Sequence, residues 1–86
     1  MPRISAFYGI VISMNYREHP PPHFHARYAE HQATIDLATM TVLEGWLPTP
    51  VLRLVRRWGR LHRDELAANW ARARRSRPLR TIDPLP

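Results

Sequence analysis

The chain has 86 residues, no cysteine, a hydrophobic share of 44% and a formal net charge of +6 at neutral pH. That length fits one domain, and the missing cysteines exclude disulfides, thiolate zinc sites and cysteine nucleophiles together. No apolar run approaches the roughly 20 residues that span a bilayer, and the opening residues MPRISAF lack a signal-peptide core, so a soluble, cytoplasmic protein is expected.

All thirteen basic residues are arginine, and they are unevenly placed. Residues 1–50 carry a net charge of −1, whereas residues 51–86 carry ten arginines against three acids. Arginine's planar fork suits phosphate and carboxylate partners.

In chain order, FYGIVISMNY (7–16) is β-branched and aromatic. Its period-two pattern predicts one strand with Tyr8, Ile10, Ile12, Met14 and Tyr16 on one face. REHPPP then breaks it, because three prolines cannot donate ladder hydrogen bonds. HFHARYAEHQATIDL reads as two short strands, 23–29 and 32–37, joined at Glu30–His31. That turn pairs Phe24 with Leu37, Ala26 with Ile35 and Tyr28 with Ala33, so every apolar residue meets another. MTVLEG (40–45) supplies a further strand.

Thr49–Pro50 reads as a helix start, with a hydroxyl N-cap before proline. Residues 51, 54, 55, 58 and 61 form its apolar stripe, with His62 on the same side. Arg53, Arg56, Arg57, Arg60 and Arg63 fill the opposite face. Extending the wheel turns Glu65 and Asn69 inward and rotates Leu66 and Trp70 away. A break near Arg63 resolves that conflict, with Asp64 capping a second helix to about Arg75. The tail SRPLRTIDPLP can dock through Leu79, Ile82 and Leu85. The fold class expected is α+β: a small antiparallel sheet of three or four strands around a β-hairpin core, followed by two helices or one kinked helix. Its single domain divides into a sheet at 7–45, a helical part at 49–75 and a proline-punctuated tail at 76–86.

The expected register carries chemistry with it. With Phe24, Ala26 and Tyr28 facing the core, His23, His25 and Arg27 face away, opposite Asp36 (paired with His25) and Thr34 (paired with Arg27). The plainest explanation is a set of ordinary polar contacts. A His–Asp pair also suits general acid–base work, making His23, His25, Arg27 and Asp36 the catalytic candidates. Two histidines at i, i+2 with a carboxylate across match a facial metal set, so a metal, if bound, falls on His23, His25 and Asp36. With no cysteine and no helical histidine pair, metal binding is expected to be weak or absent, and no cofactor is called for. The second candidate surface is Arg53, Arg56, Arg57, Arg60 and Arg63, whose mutual repulsion asks for an anionic partner, nucleic acid or protein.

The segments RISAFYGIVISM, HPPPHFHARYAEHQATIDL, VLEGWLP, LRLVRRWGRLHRDELAANWARA and PLRTIDPL follow one another as in a small bacterial family. The chain resembles the family catalogued as domain of unknown function 4160 over nearly its whole length. That resemblance implies a toxin–antitoxin-type gene pair whose other member is a small protein of the family numbered 2442. The function expected is the toxin-like, partner-regulated component of such a module, acting on or near RNA. The alternatives are a DNA-binding or neutralising subunit of the same pair without catalysis, and a small metal-dependent enzyme.

Overall fold

A computed structural model describes residues 2–86. Five strands, β1 (Arg3–Phe7), β2 (Ile10–Ser13), β3 (His23–Tyr28), β4 (His31–Asp36) and β5 (Val42–Gly45), precede two helices, α1 (Thr49–Leu61) and α2 (Arg63–Arg74). The strands form one antiparallel meander in the order β1-β2-β3-β4-β5. The architecture is α+β as expected, with five strands in place of three or four and a sheet that begins at Arg3.

The extra strand comes from a turn that the alternating pattern concealed. Tyr8 and Gly9 have φ of +50° and +78°, and Phe7 pairs directly with Ile10. Positive φ at both central residues is what a two-residue hairpin needs, but tyrosine is an uncommon choice for it. A tertiary contact holds it there: the Tyr8 hydroxyl donates to the Pro86 carbonyl at 2.8 Å, while its ring meets that of the adjacent Phe7 edge-on. Segment 7–16 is therefore not one strand. Ile10, Ile12 and Met14 are fully buried, while Tyr8 and Tyr16 are exposed.

The β3–β4 register also differs from the expected one. Tyr28 pairs with His31, Ala26 with Ala33, Phe24 with Ile35 and His23 with Asp36, around a turn at Ala29–Glu30. Moving each partner by two positions preserves both faces and still sets Phe24 against Ile35 and Ala26 against Ala33, with Tyr28 now opposite His31. The face pattern cannot separate the two registers. His25 consequently stands opposite Thr34, and Arg27 opposite Gln32.

Helix α1 covers the face carrying Phe24 and Ile12. The Trp58 ring sits 5.5 Å from Phe7 and 5.8 Å from Phe24. Gly59 lies so close to Met40 that a Cβ there would fall 2.5 Å from its sulfur, so a larger residue would have to push the tip of that side chain aside. Pro48 occupies the N-cap position without any side-chain cap, so Thr49 is the first helical residue and not the cap. Leu61, expected in the apolar stripe, is exposed because the helix ends there.

The break expected near Arg63 falls at His62 (φ −113°, ψ 27°), which closes α1 and opens α2. Asp64 lies in the first turn of α2 and is not its cap. Leu66, Trp70 and Ala73 are buried, and so is Asn69. The tail packs on the body through Ile82 and Leu85, with the Ile82 amide donating to the Ile4 carbonyl at 2.8 Å. No helix among the described residues is long and apolar enough to cross a membrane.

Candidate functional site

His23 and His25 alternate with Phe24 and Ala26 on β3, so burying the two apolar residues turns both imidazoles to the face away from α1. The carboxylate that meets them is Glu18, from the loop between β2 and β3. Glu18 Oε1 lies 2.7 Å from His25 Nε2 and 3.2 Å from His23 Nε2. One ligand-type atom from each of the three residues falls within 4.8 Å of the others.

The loop is held at both ends of this contact. Arg17 adopts φ +55°, its amide donates to the Ala73 carbonyl at 3.3 Å, and its Nε donates to Ser76 Oγ at 2.7 Å. The start of the loop is thus tied to the end of α2, next to Glu18. The prolines contribute through their carbonyls, since they have no N–H. Pro22 O accepts from the Leu37 amide at 2.9 Å, and Pro21 O accepts from His23 Nδ1 at 2.7 Å. On His25, Nδ1 lies 3.2 Å from Thr34 Oγ1. Trp70 of α2 closes the back of the cluster, its ring 5.1 Å from that of His23.

The histidine side chains are 10% and 12% exposed and Glu18 is 28% exposed. Burial pushes the Glu18 carboxyl up. The hydrogen bond and charge of His25, joined by those of His23, outweigh it and hold the group below its ordinary value.

Beside this cluster lies a shallow hollow of about 150 Å³ lined by Arg3, Val11, Ser13 and Arg27. Ser13 pairs with Arg3 on one side and His25 on the other, so both guanidinium groups share the sheet face with the histidines. Neither Glu18 nor Arg3 stands out in the sequence as a site residue. The adjacency of Glu18 to the His-Pro-Pro-Pro run is the only local signal for the first. Arg3 needs the missed β1 strand.

A family model described as domain of unknown function (DUF4160) matches residues 9–71 of the chain. The chain belongs to that family. No curated protein and no solved structure matches it. The DUF4160 match spans Glu18, His23, His25, Thr34 and Trp70, and leaves Arg3 and the docked tail outside.

The other expected site residues of this DUF4160 chain fall elsewhere. Asp36 faces His23 across the ladder and not His25. Its Oδ1 is committed to the Ala38 and Thr39 amides, at 2.8 and 2.9 Å. The Thr39 bond, foremost, holds the Asp36 carboxyl below its ordinary value near 3.8, against partial burial and with help from Ala38. A lowered folded value means stability that is present above the ordinary range and lost as pH falls through the folded value. Replacing Asp36 with alanine should therefore cost about 1–2 kcal/mol at neutral pH, for two hydrogen bonds. The gap from the parent in urea unfolding should narrow below the ordinary carboxylate range, and Asp36→Asn, which keeps an acceptor, should lose less.

Arg53, Arg57, Arg60 and Arg63 are exposed, but Arg56 is half-buried and its Nε donates to the Met40 carbonyl at 2.9 Å. Because α1 covers the opposite sheet face, these arginines lie across the sheet from the histidine cluster. His19 is exposed, and His31 stacks edge-on with Trp46 at 4.8 Å. His62 Nδ1 donates to Glu65 Oε1 at 2.6 Å while its buried Nε2 has no partner among the described residues.

Proposed function

We propose that this protein is the toxin-like, partner-regulated component of a bacterial two-gene module and that it acts on or near RNA in the cytoplasm. One observation supports the reading above the rest: two imidazoles converge on one carboxylate, on the same sheet face as the exposed Arg27 and Arg3. The guanidinium forks supply phosphate recognition, and the imidazoles and the Glu18 carboxylate supply the polar groups beside them. The partner is the small neighbour of the family numbered 2442.

Inducible expression tests the role. The protein alone should arrest growth, and co-expression of the neighbour should relieve the arrest. His25→Ala should abolish the arrest while leaving the fold intact. RNA titrations test the face. Replacing Arg3 and Arg27 with glutamine should weaken binding and flatten its salt dependence by about 0.7 in the log–log slope for each phosphate no longer neutralised. Replacing Arg53, Arg57 and Arg60 should leave that slope unchanged. Arg56 is a poor choice for this test because its bond to Met40 supports the fold.

A second reading, a neutralising or binding subunit without catalysis, draws on the far side of the molecule. Arg57, Arg60 and the exposed Leu61 border a hollow of about 520 Å³ closed by Leu85 and Pro86. An apolar side chain ringed by arginines suits an acidic partner protein. Growth unaffected by the protein alone, with binding to the neighbour lost in the Arg53, Arg57 and Arg60 variant, favours this reading.

A further inference from the structure

We propose that Glu18, His23 and His25 bind one divalent transition-metal ion of the zinc class, through Glu18 Oε1 and the Nε2 atoms of both histidines. The partners behind the two rings point to it first. Pro21 O, a carbonyl, can only accept, so the His23 Nδ1 that lies 2.7 Å from it carries a hydrogen. In the neutral ring this leaves a lone pair on Nε2, aimed at a carboxylate oxygen 3.2 Å away. Two acceptors then face each other, a contact that a metal ion between them, or a second ring proton, makes favourable.

His25 permits the same arrangement. Its Nε2 approaches the same oxygen at 2.7 Å, and its Nδ1 sits 3.2 Å from the Thr34 hydroxyl, which can accept as well as donate. Both rings are thus anchored at Nδ1 and converge at Nε2, the way metal-bound histidines are oriented by partners behind them. A carbonyl orients one and a hydroxyl the other.

The spacing agrees. Ligand atoms around a tetrahedral ion with bonds of about 2.0–2.1 Å stand roughly 3.3 Å apart. The two nitrogen–oxygen separations of 3.2 and 2.7 Å fall below that figure, and the three ligand atoms all lie within 4.8 Å of one another. A small withdrawal of Glu18 and a tilt of the rings toward each other complete the set. Two ligands come from one strand at i, i+2, so their spacing is fixed by the backbone. The third comes from a loop tethered by Arg17 to the end of α2. Two imidazoles and one carboxylate, with no thiolate, form a nitrogen–oxygen set that suits zinc, iron(II) or nickel(II) over soft copper(I). Three protein ligands leave at least one coordination position for water or a phosphate oxygen. The expectation of weak binding follows from the lack of cysteines and of a helical histidine pair to complete a site. Glu18 supplies the missing third ligand, and Asp36 is not part of the set. The site stands on its geometry and does not require the RNA reading.

The test uses the full chain after chelator treatment, titrated with zinc chloride by calorimetry and with cobalt chloride by visible absorption. About one equivalent should bind, with tetrahedral-type cobalt bands. Cobalt should also quench tryptophan emission, since Trp70 is 5.1 Å from the His23 ring. His25→Ala and Glu18→Gln should abolish stoichiometric binding, and Thr34→Val should weaken it by about 10–100-fold. His19→Ala and His31→Ala should leave it unchanged. Far-UV circular dichroism identifies any variant that fails to fold; Glu18→Gln and Thr34→Val then decide, because neither removes a core side chain. Absence of a stoichiometric event in the folded parent would overturn the proposal and assign the contact to a proton-bridged ion pair. Unchanged binding in folded Glu18→Gln and Thr34→Val would overturn it too, as zinc held by the surface histidines.

Discussion

Replacing Trp58 with alanine is expected to cost about 3–5 kcal/mol, the range for large aromatic-to-alanine changes in a core. The indole is fully buried and makes ring contacts with both Phe7 and Phe24, so it joins β1 to β3 under α1. It also ties down the tail, because Nε1 donates to the Asp83 carbonyl at 2.8 Å. A domain of this size is stable by about 4–13 kcal/mol in all, so the variant should lose a large share of its stability. Trp58→Phe separates the two roles. It keeps a ring between Phe7 and Phe24 and loses the Asp83 bond, for a cost of about 1–2 kcal/mol beyond the lost volume. Urea denaturation followed by circular dichroism measures both, and an alanine variant as stable as the parent would contradict the packing described.

Asn69→Ala should be the next most damaging change, at about 2–3 kcal/mol, because two hydrogen bonds and a buried polar fit are lost together. The residue is 1% exposed and grips both polar backbone groups of one tail residue. Its Nδ2 donates to the Arg80 carbonyl at 2.8 Å, and its Oδ1 accepts from the Arg80 amide at 2.9 Å. Asn69→Asp should not rescue: the second carboxylate oxygen would face the Arg80 carbonyl, acceptor against acceptor. Limited proteolysis should cut the tail of either variant before the body unfolds. Equal protection of the tail in parent and variant would show that Ile82 and Leu85 hold it unaided.

Asn69 also marks the limit of what helical periodicity reveals. A continuous wheel turns it inward beside Glu65, and that clash correctly indicates a break between the helices. The break moves Glu65 to the surface and brings Leu66 and Trp70 inside, yet Asn69 stays buried, for the tail and not for the core. The alternation of Ile10, Ile12 and Met14, and of Phe24 and Ala26, is legible because burying one sheet face imposes a period of two. The turn at Tyr8–Gly9 is not, because a tyrosine with positive φ is held by a contact to Pro86, 78 positions away. The β3–β4 register is half legible. Which face each histidine takes follows from the pattern, while which residue stands opposite does not. That difference separates Asp36, engaged by the amides of its own turn, from Glu18, which the chain returns to the histidines through a proline-rich loop. A carboxylate placed by the path of a loop leaves no periodic trace.

If Glu18, His23 and His25 act as one unit, they should respond to metal apart from the chain's other histidines. Nitrogen-15 NMR of the five imidazoles, recorded before and after one equivalent of zinc, separates them. The Nε2 resonances of His23 and His25 should shift together while those of His19, His31 and His62 stay in place, and Glu18→Gln should abolish both shifts. Movement of His19 or His31 in place of His23 and His25, or no movement in any ring, would contradict a shared site.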